Sequence, residues 1–189
     1  MPADVPTLPP PRRSPGPYRV CLVCLGNICR SPMAEAVLRA AVTEAGLGGA
    51  VTVDSAGTGD WHIGDPMDRR AHAELARRGY DGSAHRARRI QPAWFAQRDL
   101  VLAMDLSNLA ALRALAPDAE AAGPRLMLFR SFDPDLAAAK THDPWDGGVP
   151  DPYGGPPAGY AQALDMVQRA VRGLVGRLAE VDQVPAGGA

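Results

Sequence analysis

Apolar positions along the chain alternate between two spacings. Short continuous runs, Val20-Cys21-Leu22-Val23, Val51 to Ala56, Leu100 to Met104 and Leu126 to Phe129, read as strands buried on both faces. Between them lie stretches rich in helix formers with apolar residues three and four apart. These predict helices over about Met33–Ala40, Met67–Arg78 closed by Gly79, Leu106–Leu115 with Asp105 or Ser107 as cap, and Gly159–Glu180, with a short helix around Pro92–Gln97. A long loop rich in Pro, Gly and Asp is expected from about Ser131 to Pro157. Strands separated by helices argue for an α/β fold, a four-stranded parallel sheet with helices on both faces. In such folds ligands sit at the carboxyl ends of the strands.

The first seventeen residues depart from this rhythm. They hold seven prolines and only Val5 and Leu8 as large aliphatics, so the segment is expected to be a disordered tail. Residues 18–180 then form one domain, and 181–189 a flexible tail. With 189 residues, 46% of them hydrophobic, one sizeable core is expected. A net charge of −1 gives no footprint for nucleic acid, and no apolar run is long enough for a membrane span or signal. The three cysteines, Cys21, Cys24 and Cys29, are too close together to staple a fold, and a reducing cytoplasm is the natural setting.

Candidate chemistry concentrates where the first strand meets the first helix: Cys24-Leu25-Gly26-Asn27-Ile28-Cys29-Arg30-Ser31-Pro32. Gly26 and Asn27 suit a tight turn, Ser31 suits a helix N-cap, and Pro32 suits the first helical position. Backbone amides of this loop would converge with the positive end of the helix dipole, a cradle for phosphate or another oxyanion. A thiol at its mouth should ionise readily, which makes Cys24 a candidate nucleophile, and Arg30 offers a planar fork for two phosphate oxygens.

The whole run resembles the phosphate-binding loop of the low-molecular-weight protein tyrosine phosphatases. That resemblance, over about residues 18–180, implies hydrolysis of phosphotyrosine proteins or peptides through a phosphocysteine, with no metal and no cofactor. Asp151, in Asp151-Pro152-Tyr153, matches the family's general acid, and expelling a phenolate of pKa about 10 calls for one. Ser31 would then support the thiolate, Trp61 and Tyr153 would wall the cleft, and His85 would brace the loop through Asn27. Gly154 stands where many members carry a second aromatic, which lowers one wall. Asp133-Pro134 and Asp143-Pro144 repeat the dipeptide without implied chemistry, and Arg86 to Arg89 reads as a solvated basic face.

Rival readings remain beside this one. A protein arginine phosphatase of the same superfamily resembles this loop but has Thr where Ile28 stands. An arsenate reductase needs a distal cysteine pair, whereas all three cysteines lie within residues 21–29. A redox module on Cys21 and Cys24 would need the first cysteine exposed, and Cys21 falls inside a strand. Cys29 is expected to capture an oxidised Cys24 as a disulfide.

Overall fold

The computed structural model describes residues 5–138 and 143–182. Four parallel strands, β1 (Tyr18–Cys24), β2 (Val51–Gly57), β3 (Leu100–Ala103) and β4 (Leu126–Leu128), form one sheet in the order β2-β1-β3-β4. The helices are α1 (Arg30–Glu44), α2 (Arg69–Arg77), α3 (Leu106–Leu115), α4 (Ala119–Ala122), α5 (Pro134–Ala138) and α6 (Pro157–Asp182), with short 3-10 turns at Pro92–Ala96, Gly123–Arg125 and Phe129–Phe132.

The apolar runs become strands because both faces of the sheet are covered. On β1, Val20, Leu22 and Cys24 face one core with Met33 and Leu38 of α1 and Leu164, Val167 and Leu174 of α6. Cys21 and Val23 face the other, with Phe95, Leu109 and Leu112. This two-residue alternation is that of any strand, but here neither side meets water, so no polar position interrupts the run.

Strand order reverses between β1 and β3, since the chain goes from β1 outward to β2 and then crosses back. A crevice therefore opens beyond the carboxyl ends of β1 and β3, where the Cys24 loop and Asp105 lie. Gly57, at the end of β2, lets the loop approach: a Cβ there would stand 2.6 Å from the Leu25 carbonyl oxygen. No side chain fits that gap.

Several elements differ from expectation. α2 starts at Arg69 because Asp68 caps it, accepting from the Arg70 and Ala71 amides. α6 begins at Pro157, a proline preorganised for a first turn. Pro92–Ala96 is 3-10, α4 was not foreseen, and the long loop contains α5. Residues 5–17, expected to be a disordered tail, lie against the body instead. Val5 is buried, the Tyr18 hydroxyl donates to the Pro9 carbonyl at 3.0 Å, and Arg125 and Arg177 donate to the carbonyls of Pro10 and Val5. Proline-rich backbone is already extended, so fixing it costs little entropy, and donors from distant parts of the chain take up its carbonyls. Residues 1–4 and most of 181–189 lie outside the described residues.

Candidate active site

Cys24 is the last residue of β1, and the chain then turns tightly before α1 begins at Arg30. The turn needs one residue in the left-handed region, and Asn27 supplies it at φ +55°. Its side chain is fully buried and fully used. Asn27 Nδ2 donates to Ser31 Oγ at 2.9 Å and Ser55 Oγ at 2.8 Å, while Oδ1 accepts from the Arg88 amide at 2.8 Å. Ser55 in turn donates to Glu35, a buried carboxylate on α1 paired with Arg39 at 2.6 Å.

His85 reaches the same turn from outside. Its Nε2 lies 2.7 Å from the Asn27 carbonyl oxygen, which can only accept, so the proton sits on Nε2. Burial pushes this imidazole below its ordinary value, outweighing the Asn27 bond and Glu35, which favour the charged ring.

Ser31 is not the helix cap expected of it. Cys29 occupies that position, and no side chain caps the helix. The Ser31 hydroxyl is drawn inward instead, 3.1 Å from Cys24 Sγ, while Asn27 Nδ2 donates to it from the other side. The Asn27 amide also donates to Cys24 Sγ, at 3.3 Å. The sulfur thus has an amide and a hydroxyl facing it at the start of a helix.

Arg30 is buried, and its two amino groups diverge. Nη1 donates to Asp105 Oδ2 at 2.5 Å and to the Val149 carbonyl at 3.1 Å, whereas Nη2 donates to Asp151 Oδ2 at 2.9 Å. Burial alone would lower its pKa, yet Cys24, Asp151 and Asp105 together hold it above the ordinary value. Asp105 also caps α3 through the Asn108 amide at 2.7 Å, so one carboxylate anchors a helix and a guanidinium.

The three Asp-Pro dipeptides separate by position. Asp133 is buried in an ion pair with Arg169, and Asp143 accepts from the Gly147 amide at 2.6 Å and from Arg130, which also donates to the Gly148 carbonyl. Both shape the loop. Asp151 alone reaches the cleft, its Oδ1 accepting from the Tyr153 amide at 3.2 Å. Gly154 follows in the left-handed region at φ +75°, with open space around it.

The cleft itself, about 120 Å³, is lined by Cys24, Leu25, Gly26, Ile28, Cys29 and Arg30 below and by Trp61, His62, Asp151 and Tyr153 at the rim. The Trp61 ring folds over Gly59, where any Cβ would overlap it. His62 meets Tyr153 edge to face, centroids 6.3 Å apart. Of the residues named from the sequence, Asn27 and Ser31 lie behind the cleft against Cys24 Sγ, His85 lies behind Asn27, and the others line the cleft. His62, Asp105, Ser55 and Glu35 were not singled out. Asp105 had a visible signal only as a helix cap, and Arg88, read as part of a solvated face, has its backbone amide on Asn27 and its guanidinium on the Ser55 carbonyl at 3.1 Å.

Cys29 and Cys21 differ in setting from Cys24. Burial pushes both thiols up, with Asp68 adding to the effect at Cys29 and Asp54 at Cys21. Cys21 has no exposed surface, which removes the basis for a disulfide-exchange motif with Cys24. Among the described residues no cluster of three or more His, Cys, Asp or Glu side chains is placed to hold a metal ion, and no helix is long and apolar enough to cross a membrane.

Comparison with known proteins points one way. A family model described as low molecular weight phosphotyrosine protein phosphatase matches residues 19–184. A low molecular weight protein-tyrosine-phosphatase of Streptomyces coelicolor is 51% identical over 86% of this chain and 94% of its own length. Among solved structures, a protein tyrosine phosphatase of Entamoeba histolytica with Hepes in its active site is similar at TM-score 0.77 and 30% identity, covering 87% of this chain and 99% of the other. Wzb of Vibrio vulnificus, in complex with benzylphosphonate, is similar at TM-score 0.68 and 29% identity, covering 85% and 99%.

Proposed function

The chain belongs to the low molecular weight phosphotyrosine protein phosphatase family, and on that premise we propose that it hydrolyses phosphotyrosine in two steps, with Cys24 as nucleophile and Asp151 as proton donor. The observation that carries this reading is the convergence of Cys24, Arg30 and Asp151 on one narrow cleft.

In the first step the Cys24 thiolate attacks phosphorus and forms an S–P bond as the P–O bond to the tyrosyl oxygen breaks. Asp151, protonated, gives its proton to that oxygen, so the leaving group departs as a neutral phenol. Loop amides and Arg30 hold the equatorial oxygens and stabilise the charge spread over them. Arg30 reaches the phosphate with its direction already set by Asp105 and the Val149 carbonyl. In the second step the Asp151 carboxylate takes a proton from water, the oxygen attacks phosphorus, and the S–P bond breaks to return the thiolate. Ser31 and the Asn27 amide, both facing the sulfur, make thiolate a better leaving group. The positive field of Arg30 and the amides does the work that metal ions do in other phosphoryl-transfer enzymes.

Trp61 and Tyr153 stand at the rim as faces for an aromatic ring, and the sulfur lies at the floor. That depth favours the long phosphotyrosine over phosphoserine. Ile28 lines the cleft as an apolar contact, which favours an aryl ring over a guanidino group. The benzyl phosphonate held by the Vibrio relative has the same chemistry, an aromatic ring one short link from an anionic phosphorus group.

The test is hydrolysis of one peptide in phosphotyrosine, phosphoarginine and phosphoserine forms, by the parent and by Cys24→Ser, in EDTA with fresh reductant. Turnover confined to phosphotyrosine and abolished by the substitution is the expected result. Predominant phosphoarginine turnover would move the substrate assignment, and activity surviving in Cys24→Ser would remove the nucleophile.

A further inference from the structure

Six large apolar side chains are exposed among the described residues: Leu25, Trp61, Ile63, Leu106, Trp145 and Tyr153. Leu25, Trp61, Ile63 and Leu106 lie in the segments that leave β1, β2 and β3, and Trp145 and Tyr153 lie in the loop between α5 and α6, which returns to the same end of the sheet where the Val149 amide donates to the Met104 carbonyl. Single exposed apolar residues need no explanation, but their confinement to one edge of a parallel sheet does. Leu25, Trp61 and Tyr153 belong to the cleft, and Ile63 sits beside them in the Trp61 loop. Leu106 and Trp145 do not line it.

The place of these last two is set by Arg30. Its Nη2 points to Asp151, two residues before Tyr153 in the chain, and its Nη1 points to Asp105, next to Leu106. Trp145 comes to the same side through its turn, with the Gly148 amide donating to the Trp145 carbonyl at 2.7 Å and the Val149 amide to the Met104 carbonyl at 2.7 Å. A Cβ on Gly148 would lie 3.2 Å from Asp105 Cβ, which shows how closely the turn is laid on the start of α3.

Each side chain leaves a large part of its surface in solvent. Leu106, 51% exposed, opens α3 at a position where a polar residue serves the helix equally well, and Trp145, 41% exposed, has no aromatic or cationic partner among the described residues.

We propose that Leu106 and Trp145 form an apolar step beside the cleft that receives a non-polar side chain two or three residues from the phosphotyrosine of a peptide or protein substrate. This rests on the phosphatase reading and adds a substrate preference to it. An extended peptide advances about 3.3 Å per residue, so a side chain two residues away lies about 7 Å along the backbone from the phosphotyrosine, outside the cleft and free to meet the surface beside it. Continuity with the catalytic cleft through Arg30 and Asp105 is what commits the step to substrate.

The experiment compares kcat/KM of the parent and of Leu106→Ser/Trp145→Ser on p-nitrophenyl phosphate and on two phosphotyrosine peptides. One peptide carries Leu or Ile two and three residues to either side, the other Ser. The parent should prefer the apolar peptide about tenfold, the scale of burying one aliphatic side chain. The double variant should lose that preference to within about twofold, a residue of the unaltered Leu25 and Trp61 contacts, while keeping the parent's rate on p-nitrophenyl phosphate. Equal use of both peptides by the parent overturns the proposal, as does a preference that survives the double substitution. If the double variant fails to fold, its p-nitrophenyl phosphate activity is lost, and the single change Trp145→Ser, in a turn held by backbone bonds, takes its place. A parent dimer that the substitution dissociates, seen by light scattering without any change in peptide preference, overturns it in favour of a second copy of the chain. No turnover of any aryl phosphate by the parent would be a failure of the phosphatase reading itself and is read separately.

Discussion

The carboxylate of Asp105 holds Arg30 Nη1 at 2.5 Å while its other oxygen caps α3 through the Asn108 amide at 2.7 Å. The guanidinium proposed to grip the phosphate is thus tied to the start of the helix that follows β3. Asp105→Asn keeps an oxygen for the cap but loses the charge opposite Arg30. Its melting temperature should stay within a few degrees of the parent, while kcat/KM on phosphotyrosine peptide falls about 10- to 100-fold, as expected when a charged group is left less well oriented. Kinetics and calorimetry on one preparation separate the two effects. A large stability loss with activity per folded molecule intact would reduce Asp105 to a cap.

Asp151 is proposed to protonate the leaving oxygen, and that role depends on how badly the oxygen needs a proton. Asp151→Asn should lower kcat on phosphotyrosine by about 10²-fold or more. The loss should shrink steadily across a series of aryl phosphates whose phenols are more acidic than tyrosine. A deficit independent of the leaving group would assign Asp151 to holding Arg30 alone, since the two lie 2.9 Å apart.

Asn27 combines a left-handed backbone with three side-chain hydrogen bonds. Asn27→Gly keeps the backbone conformation accessible and removes the bonds, so it isolates their worth. At roughly 1 kcal/mol each, the protein should lose about 3 kcal/mol of stability, read by urea denaturation. Activity should fall as well, because Ser31 loses the donor that aims its hydroxyl. A variant as stable as the parent would mean that water replaces the side chain at no cost.

Sheet, helices and the tight loop after Cys24 were legible because each depends on local signals: unbroken apolar runs, helical spacing, and a turn-forming Gly26-Asn27 before Pro32. Ser31 was misread for the same reason. As a local signal it is a cap, and only the fold, by placing Asn27 Nδ2 on one side of it and Cys24 Sγ on the other, draws the hydroxyl inward. Asp105 and Glu35 were missed because their partners lie 75 and 20 residues away, Arg30 and Ser55 respectively. The packing of residues 5–17 was hidden by the same blindness to distance: the groups that hold them, Asp99, Arg125 and Arg177, come from residue 99 onward.

His85 gives a pH dependence of defined sign. Its imidazole is depressed below 6.5 in the folded protein, chiefly by burial, with Arg88 and Arg39 adding to the effect and Glu35 opposing it. The unfolded chain therefore binds a proton before the folded one does as pH falls. The stabilisation from His85 is complete above 6.5 and declines as pH drops below it. His85→Gln retains an amide donor for the Asn27 carbonyl and cannot titrate. Parent and variant should have similar melting temperatures near pH 8, and the parent should lose more between pH 7 and pH 5. Parallel curves would show that His85 is solvated enough to titrate as in the unfolded chain.

Cys29 lines the cleft beside Cys24, with its thiol held up by burial and by Asp68. Peroxide should oxidise the Cys24 thiolate to a sulfenic acid, releasing hydroxide. Cys29 would then attack that sulfur, forming the disulfide and expelling water. Because Cys29 must first lose its proton, capture should speed up as pH rises, and protection should be stronger at pH 8.5 than at pH 6.5. The check is activity after a peroxide pulse followed by dithiothreitol, for the parent and for Cys29→Ser, at both pH values. The parent should recover most of its activity, and the variant should lose it irreversibly as Cys24 passes to sulfinic acid. Equal recovery in the two would place the protection elsewhere, because the fully buried Cys21 is the one remaining thiol in the chain.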